Sequence, residues 1–263
     1  MKIEDVKNLT PYQDINNLLV LWSERLNTAL GDNLTGFYLT GSLTYGDFVR
    51  ERSDIDLIVI IKKPLNLDGL TLIKQLHTET RERFPIWADR IECSYLPINL
   101  LENVLPPKTT RPYLGGGKFY PDANFENEWI INNYLLYKYG IALIGPEFKS
   151  LVEPIDIKDV KRANIRILFE EGEPKINDSE WLSNSHHQSY LVLNLCRILY
   201  NVNMDDVGSK KVAATYVKTT YPEWKDLIET AESWSYGIEM NRQNDTIAFI
   251  KFIIEKVGEY VQK

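Results

Sequence analysis

Cysteine, histidine and long apolar runs are all scarce in this chain of 263 residues, and each scarcity excludes a class of protein. The two cysteines, Cys93 and Cys196, stand in separate apolar stretches, which favours buried thiols over a disulfide framework. No apolar run approaches the ~20 residues that cross a bilayer, and no signal peptide opens the chain. We therefore expect a cytoplasmic protein with no membrane partner.

Positive charge is also in short supply, because the formal net charge is -7. A protein that binds the phosphate backbone of a nucleic acid usually carries a basic face, and the sequence contains no basic stripe. The composition therefore disfavours a nucleic-acid partner. An acidic surface instead favours a small cationic ligand.

The pattern of apolar residues divides the chain into two parts. Residues 1–155 mix strand and helix patterns, whereas residues 156–263 show only helical spacing. We predict an α/β domain with a small mixed sheet over 1–155, followed by an all-α helical bundle over 156–263. A cleft between two such domains would be a natural ligand site. The Pro- and Gly-rich stretch 106–123 predicts a long loop. The predicted helices of the second part are 157–171, 185–202, 209–219, 223–235 and 244–261.

Two aspartates, Asp54 and Asp56, open the buried strand of the stretch "YLTGSLTYGDFVRERSDIDLIVII". Acidic residues two positions apart are common on protein surfaces and by themselves indicate no function. On a strand, however, both side chains point to one face and lie ~6–7 Å apart, and the apolar run that follows holds them in place. Their repulsion favours a bound cation, and paired carboxylate oxygens suit Mg²⁺.

Gly41 and Ser42 end the preceding strand, about eleven residues before the aspartates. Glycine allows the backbone to approach a phosphate closely, and the turn amides with the Ser42 hydroxyl can hold its oxygens. Ser53, next to Asp54, is a further candidate for a phosphate contact. The order of strand, Gly-Ser, Asp-x-Asp and apolar strand is much more specific than any of its parts.

The stretch "GSLTYGDFVRERSDIDLIVI" resembles the signature of the nucleotidyltransferase superfamily related to DNA polymerase β, with Gly46 as its later glycine. The resemblance implies a third carboxylate on a neighbouring strand, and Glu92 in the apolar strand "RIECSYLP" is the candidate. Without the resemblance, Glu92 would be interpreted as a surface charge on an edge strand.

The sequence also resembles a narrower family, the aminoglycoside (3'')(9) adenylyltransferases, most clearly over 36–61 and 139–216. There the glutamate matching Glu92 acts as general base on the drug hydroxyl, so Glu92 is expected to be base, metal ligand or both. The lysine matching Lys210 reaches the nucleotide phosphates, and Arg197 is a second candidate cation. Without the resemblance, Lys210 would be interpreted as a solvated surface charge.

The sequence departs from that family where the acceptor would bind. The loop 106–129 has no clear equivalent of a tryptophan that packs on streptomycin, although Phe119, Tyr120 and Trp129 lie in it or at its end. An aspartate that contacts the drug aligns with His187, which either borders the core or lines the acceptor pocket.

Together these residues predict a monomeric enzyme that transfers AMP from ATP to a hydroxyl of a small cationic acceptor and releases pyrophosphate. The resemblance implies an aminoglycoside of the streptomycin or spectinomycin type. Asp54 and Asp56 would hold Mg²⁺, alone or with Glu92, and Gly41, Ser42, Ser53, Lys210 and Arg197 would contact ATP. The alternatives are adenylylation of another small metabolite or of a protein hydroxyl, and a non-catalytic nucleotide-binding regulator, which the intact acidic residues disfavour.

Overall fold

The computed structural model describes residues 3–204 and 206–261, and the chain divides into two compact units. The sheet unit contains the chain up to Phe48 and Ser53–Ile155, and the helical unit contains Val49–Arg52 and the chain from Asp156 onward. The α/β architecture with a small mixed sheet, followed by an all-helical region, confirms the predicted fold class. That the two units are separate domains stays a prediction.

Over the residues that the structure describes, the sheet unit contains six strands and six α-helices. Its strands are β1 (Leu34–Thr40), β2 (Ile55–Ile61), β3 (Ile91–Pro97), β4 (Thr110–Gly115), β5 (Lys118–Asn124) and β6 (Ile141–Ile144). Its helices are α1 (Ile3–Val6), α2 (Gln13–Leu30), α3 (Ser42–Tyr45), α4 (Leu67–Arg83), α5 (Pro85–Ala88) and α6 (Trp129–Tyr139).

The strands lie in the order β5-β4-β3-β2-β1-β6, and among the described strands only the β2–β3 pair is parallel. Alternate side chains of β1 and β2, such as Phe37 and Val59, point into a core with α2 and α4. Trp22 of α2 is fully buried there, and its indole nitrogen donates a hydrogen bond to the Thr80 hydroxyl of α4, 3.0 Å away. We call this covered side of the sheet the rear face and the opposite side the front face.

The predicted loop over 106–123 is wrong in its larger part, because β4 and β5 form a hairpin there. Gly116 and Gly117 make the two-residue turn, and both have positive φ angles, 54° and 70°. Turns of this kind favour glycine and match the twist of the flanking strands. Gly116 and Gly117 therefore mark the turn of the hairpin, whereas Pro112 lies within β4 and Pro121 within β5, and this composition obscured the short strands.

The helical unit is built around one central helix. It contains α7 (Ile157–Ile167), α8 (Ser179–Leu182), α9 (Ser185–Asn203), α10 (Lys210–Thr220), α11 (Lys225–Ser233) and α12 (Gln243–Val261). Helices α7, α10, α11 and α12 all pack on α9. The helix predicted over 157–171 instead ends at Ile167 and continues as a π-helical segment, Leu168–Gly172. Within the described residues, no helix has the length and apolar character that a membrane span requires.

Candidate active site

The turn after β1 depends on a glycine at position 41. Gly41 has a φ of 70°, and its carbonyl accepts hydrogen bonds from the backbone amide and the hydroxyl of Thr44. A β-carbon at Gly41 would overlap the carboxylate of Asp56. Both the backbone conformation and the close approach therefore require glycine, and the Gly-Ser turn lies directly against the second aspartate.

Asp54 and Asp56 lie at the start of β2, where the sequence predicts them. Asp56 is the second residue of the strand and pairs with Thr40 of β1. Asp54 precedes the strand by one residue, and its Oδ1 lies 3.9 Å from Nε of Arg90. Arg90 also donates a hydrogen bond to the carbonyl of Ser53 and lies over the Trp87 ring, 4.7 Å from its centroid. Arg90, which itself packs on Trp87, therefore holds the segment that leads into β2.

Glu92 lies on the strand next to the aspartates, because Asp56 and Glu92 are register partners in the parallel β2–β3 pair. Paired residues of adjacent strands point to the same face and have Cα atoms ~5 Å apart. The structure thus brings together Asp54, Asp56 and Glu92, three of the acidic residues predicted to form the site.

The pKa of Glu92 is raised from its ordinary value to about 7. Part of the side chain is open to solvent, but the surrounding protein atoms desolvate the carboxylate, which is the largest cause. The charges of Asp54, Glu128 and Glu126 raise the pKa further, and a hydrogen bond from Tyr113 opposes them. A carboxyl group with a pKa near 7 is suited to exchange protons near neutral pH.

No three acidic, histidine or cysteine side chains of the described residues enclose a metal site by themselves. Mg²⁺ seldom uses such a cage, since it commonly binds one or two carboxylates together with substrate phosphates and water. Asp54 and Asp56 offer hard oxygen ligands. Because glycine has no side chain, the backbone of Gly41 lies close to the Asp56 carboxylate. The donor set fits magnesium.

Tyr113 and Arg111 are neighbours of Glu92 that the sequence analysis missed. Tyr113 pairs with Ser94 in the β3–β4 register, and Ser94 lies two residues after Glu92 on the same face. Arg111 donates a hydrogen bond from Nε to the Ser94 hydroxyl over 3.1 Å, and its guanidinium lies over the rings of Tyr113 and Phe125. A signal existed, because alternation within "TRPYLG" places Arg111 and Tyr113 on one face of a strand.

Lys210 is the first residue of α10 and belongs to the helical unit. Ser209 caps this helix through a hydrogen bond from the Val212 amide, and the Lys210 ammonium lies 5.1 Å from the centroid of the Tyr190 ring. The turn that precedes α10 is fixed to α9, because the Gly208 amide donates a hydrogen bond to Oδ1 of Asn201, a buried residue of α9. The start of α10 is therefore anchored in the core of its own unit.

Arg197 lies on α9 of the same unit and is partly buried. Its Nε is buried and has no hydrogen-bond partner. The structure does not test a nucleotide contact of Arg197, Lys210 or Ser53, so these assignments stay predictions.

His187 is held by the short helix that precedes its own. Its ring stacks on Trp181 with centroids 4.3 Å apart, and Nδ1 lies 2.9 Å from the Trp181 carbonyl oxygen. These contacts favour a side chain at the border of the core. The neighbouring His186 contacts the rings of Trp234 and Tyr236 and is exposed.

Comparison with known proteins assigns a family to each part of the chain. Residues 23–108 match the nucleotidyltransferase domain, and residues 152–257 match the C-terminal domain of aminoglycoside adenylyltransferase. No curated protein sequence matches the chain.

Among solved structures, a similar fold is that of the spectinomycin adenyltransferase AAD(9) from Enterococcus faecialis, solved with ATP and spectinomycin. The TM-score is 0.70 at 18% identity, over 92% of this chain and 98% of that one. The structural similarity concerns the fold, whereas the two sequence matches concern the family. The chain belongs to the nucleotidyltransferases of the aminoglycoside adenylyltransferase family.

Proposed function

We propose that this protein transfers AMP from ATP to a hydroxyl group of an aminoglycoside-type acceptor and releases pyrophosphate. The observation that carries the proposal is the convergence of Asp54, Asp56 and Glu92 at the N-terminal ends of β2 and β3, with the Gly41 backbone against Asp56. Two carboxylates beside a glycine turn suit a nucleoside triphosphate with its cation, and a third with a pKa near 7 suits a proton acceptor.

In this proposal each group has one task. Gly41 and Ser42 hold phosphate oxygens of ATP, and Asp54 and Asp56 bind Mg²⁺, which would neutralise the charge of the triphosphate. Glu92 takes the proton of the acceptor hydroxyl as its oxygen attacks the α-phosphorus. The bond to the bridging oxygen breaks, and pyrophosphate leaves with the electron pair. Positioning and charge neutralisation supply most of the rate.

The identity of the acceptor is inferred from a similar structure and from the residue at position 187 of this chain. The relative AAD(9) was solved with spectinomycin. Position 187, where an aspartate would contact streptomycin, is a histidine stacked on Trp181, so it offers no carboxylate to a strongly cationic group. We therefore place spectinomycin ahead of streptomycin among the candidate acceptors.

A direct test measures pyrophosphate release from ATP and Mg²⁺ with spectinomycin, with streptomycin and with no acceptor, and identifies the adenylylated product by mass spectrometry. We expect release that depends on spectinomycin and is lost in the Asp54→Asn variant. ATP binding without release in the presence of either drug would overturn the proposal and favour a non-catalytic nucleotide-binding protein.

The cations of the helical unit can be tested separately from the chemistry. We propose that Lys210 contributes a positive charge to ATP binding, with Arg197 as a weaker second cation and Ser53 as a phosphate contact. Lys210→Ala should weaken ATP binding in calorimetry, whereas Lys211→Ala, one position further and also exposed, should not. Equal ATP affinity in both variants and in the parent protein would remove Lys210 from the site.

A further inference from the structure

Glu92, the proposed base, has a hydrogen-bond partner in the β4–β5 hairpin, Tyr113, to which no role has been assigned so far. The hydroxyl of Tyr113 on β4 donates a hydrogen bond to the carboxylate of Glu92 on β3. A tyrosine hydroxyl keeps its proton at neutral pH, so Tyr113 serves as a donor here and not as a competing base.

The Tyr113 ring is held in place by two contacts. It stacks on Tyr120 of β5 with centroids 6.3 Å apart and an interplanar angle of 24°. The guanidinium of Arg111 lies 5.2 Å from the ring centroid, on the same strand face. Both contacts restrict the ring, so the direction of its hydroxyl is set by the hairpin and not by Glu92 alone.

Gly115 supplies the room that this ring occupies. A β-carbon at Gly115 would come within 2.6 Å of the Tyr113 hydroxyl oxygen, closer than real side chains approach. The backbone of Gly115 has no positive φ, so the position needs a glycine for space and not for its conformation. The Tyr-x-Gly spacing therefore allows the ring to lie along the strand and reach the next one.

We propose that Tyr113 is a positioning residue for the transfer reaction, which fixes the Glu92 carboxylate so that it can accept the proton of the acceptor hydroxyl. A glutamate on the face of a sheet is free to rotate about its side-chain torsions, and catalytic bases are commonly oriented by a third group. The Tyr113 hydroxyl occupies part of the carboxylate and leaves the rest for the acceptor. This inference rests on the proposed role of Glu92.

The test is a double-mutant cycle of Tyr113→Phe and Glu92→Gln, with ATP, Mg²⁺ and spectinomycin in single-turnover and steady-state assays. Tyr113→Phe keeps the stacked ring and removes one hydrogen bond to a charged group, so kcat should fall about 10-fold with the KM for ATP nearly unchanged. In the Glu92→Gln background the same substitution should cost almost nothing, because glutamine cannot act as the base that the Tyr113 hydroxyl orients. Gly115→Ala, which keeps the hydroxyl and removes its room, should lower kcat in the same direction.

Tyr38→Phe is the matched control. Tyr38 is a buried tyrosine of the same sheet that lies over Gly36 in the same manner, but its hydroxyl donates to the Pro146 carbonyl, 2.9 Å away. It should lower the melting temperature and leave kcat unchanged.

The outcomes distinguish the positioning role of Tyr113 from the proposed transfer reaction. Equal losses from Tyr113→Phe with and without Glu92 would overturn the positioning role, and so would a kcat loss in Tyr38→Phe as large as in Tyr113→Phe. A parent protein that does not turn over, or a Glu92→Gln variant as fast as the parent, would overturn the proposed function itself.

Discussion

The two faces of β3 each adjoin an ionisable side chain, Glu92 of β3 itself on the front face and His77 of α4 packed against the rear face, and the pKa values of both are shifted by the same cause with different chemical results. On the front face, desolvation raises the pKa of Glu92 to about 7, while its side chain still reaches solvent. On the rear face, desolvation lowers the pKa of His77 to about 4, and its Nε2 lies 2.9 Å from the hydroxyl of the buried Tyr95. A shifted pKa therefore does not identify a functional group unless a substrate can reach that group.

The surroundings of the two groups explain this difference. His77 is enclosed by rings, with Trp22 at 5.5 Å and Phe119 at 5.1 Å between centroids. Glu92 is surrounded by the charges of other carboxylates, which a bound cation can relieve. Substitutions of the acidic groups around Glu92 should thus change activity with little loss of stability, and those around His77 should do the reverse.

The largest expected effect is the loss of the aspartates on the front face. Asp54→Asn and Asp56→Asn should each fold and lose AMP transfer by ~10³-fold or more, because each removes a proposed magnesium ligand. Pyrophosphate release and thermal melting on the same samples check both statements. Turnover close to that of the parent protein in either variant would contradict the magnesium assignment.

Glu92→Gln comes next, with an expected loss of ~10²–10⁴-fold in the single-turnover rate. Glutamine keeps the shape and the hydrogen bonds of the side chain but cannot take a proton. Binding of Mg-ATP, measured by calorimetry, should stay nearly normal. If the affinity for Mg-ATP collapses together with the rate, Glu92 is a metal ligand and the base is another residue.

Two glycines near the aspartates differ in what an alanine would meet. Gly46 has left-handed helical angles, φ 82° and ψ 14°, so alanine there should cost ~1 kcal/mol of stability, whereas Gly41, with φ 70° and ψ -159°, lies in a region that is essentially open only to glycine and should cost more. Only at Gly41 would the new methyl group displace the Asp56 carboxylate, because no atom lies within 4 Å of a β-carbon at Gly46. Gly41→Ala should therefore lose at least ~10-fold more activity than Gly46→Ala and should also melt at a lower temperature. Equal activities would show that the Gly41 contact does not matter.

The sequence was sufficient for the parts of the site that repeat a local pattern. The Gly-Ser turn and the Asp-x-Asp strand were predicted, because alternation along a strand determines which side chains share a face. Glu92 was predicted from the resemblance to the nucleotidyltransferase superfamily. Tyr113 was missed, since its link to Glu92 depends on a hairpin that the prolines and glycines obscured. The support of α10 by Asn201 was missed as well, because a buried hydrogen bond between helices leaves no periodic signal.

The smallest expected effects are two opposite dependences of stability on pH, measured in magnesium-free buffer. The unfolded chain binds a proton at His77 near pH 6.5 and the folded chain only near pH 4, so the free energy of unfolding should fall as the pH decreases between these values, by up to ~3 kcal/mol. At Glu92 the folded pKa is the higher one, so this residue should contribute stability at low pH that is lost as the pH rises toward 7. His77→Gln should remove the loss of stability as the pH falls from about 6.5 to about 4, and Glu92→Gln should remove the loss as the pH rises from about 4.5 to about 7, as urea unfolding at a series of pH values would show. Magnesium with ATP should remove the Glu92 slope by neutralising its neighbours and leave the His77 slope unchanged. If the ligand alters both slopes equally, the two faces of β3 do not respond independently, and the distinction drawn between them fails.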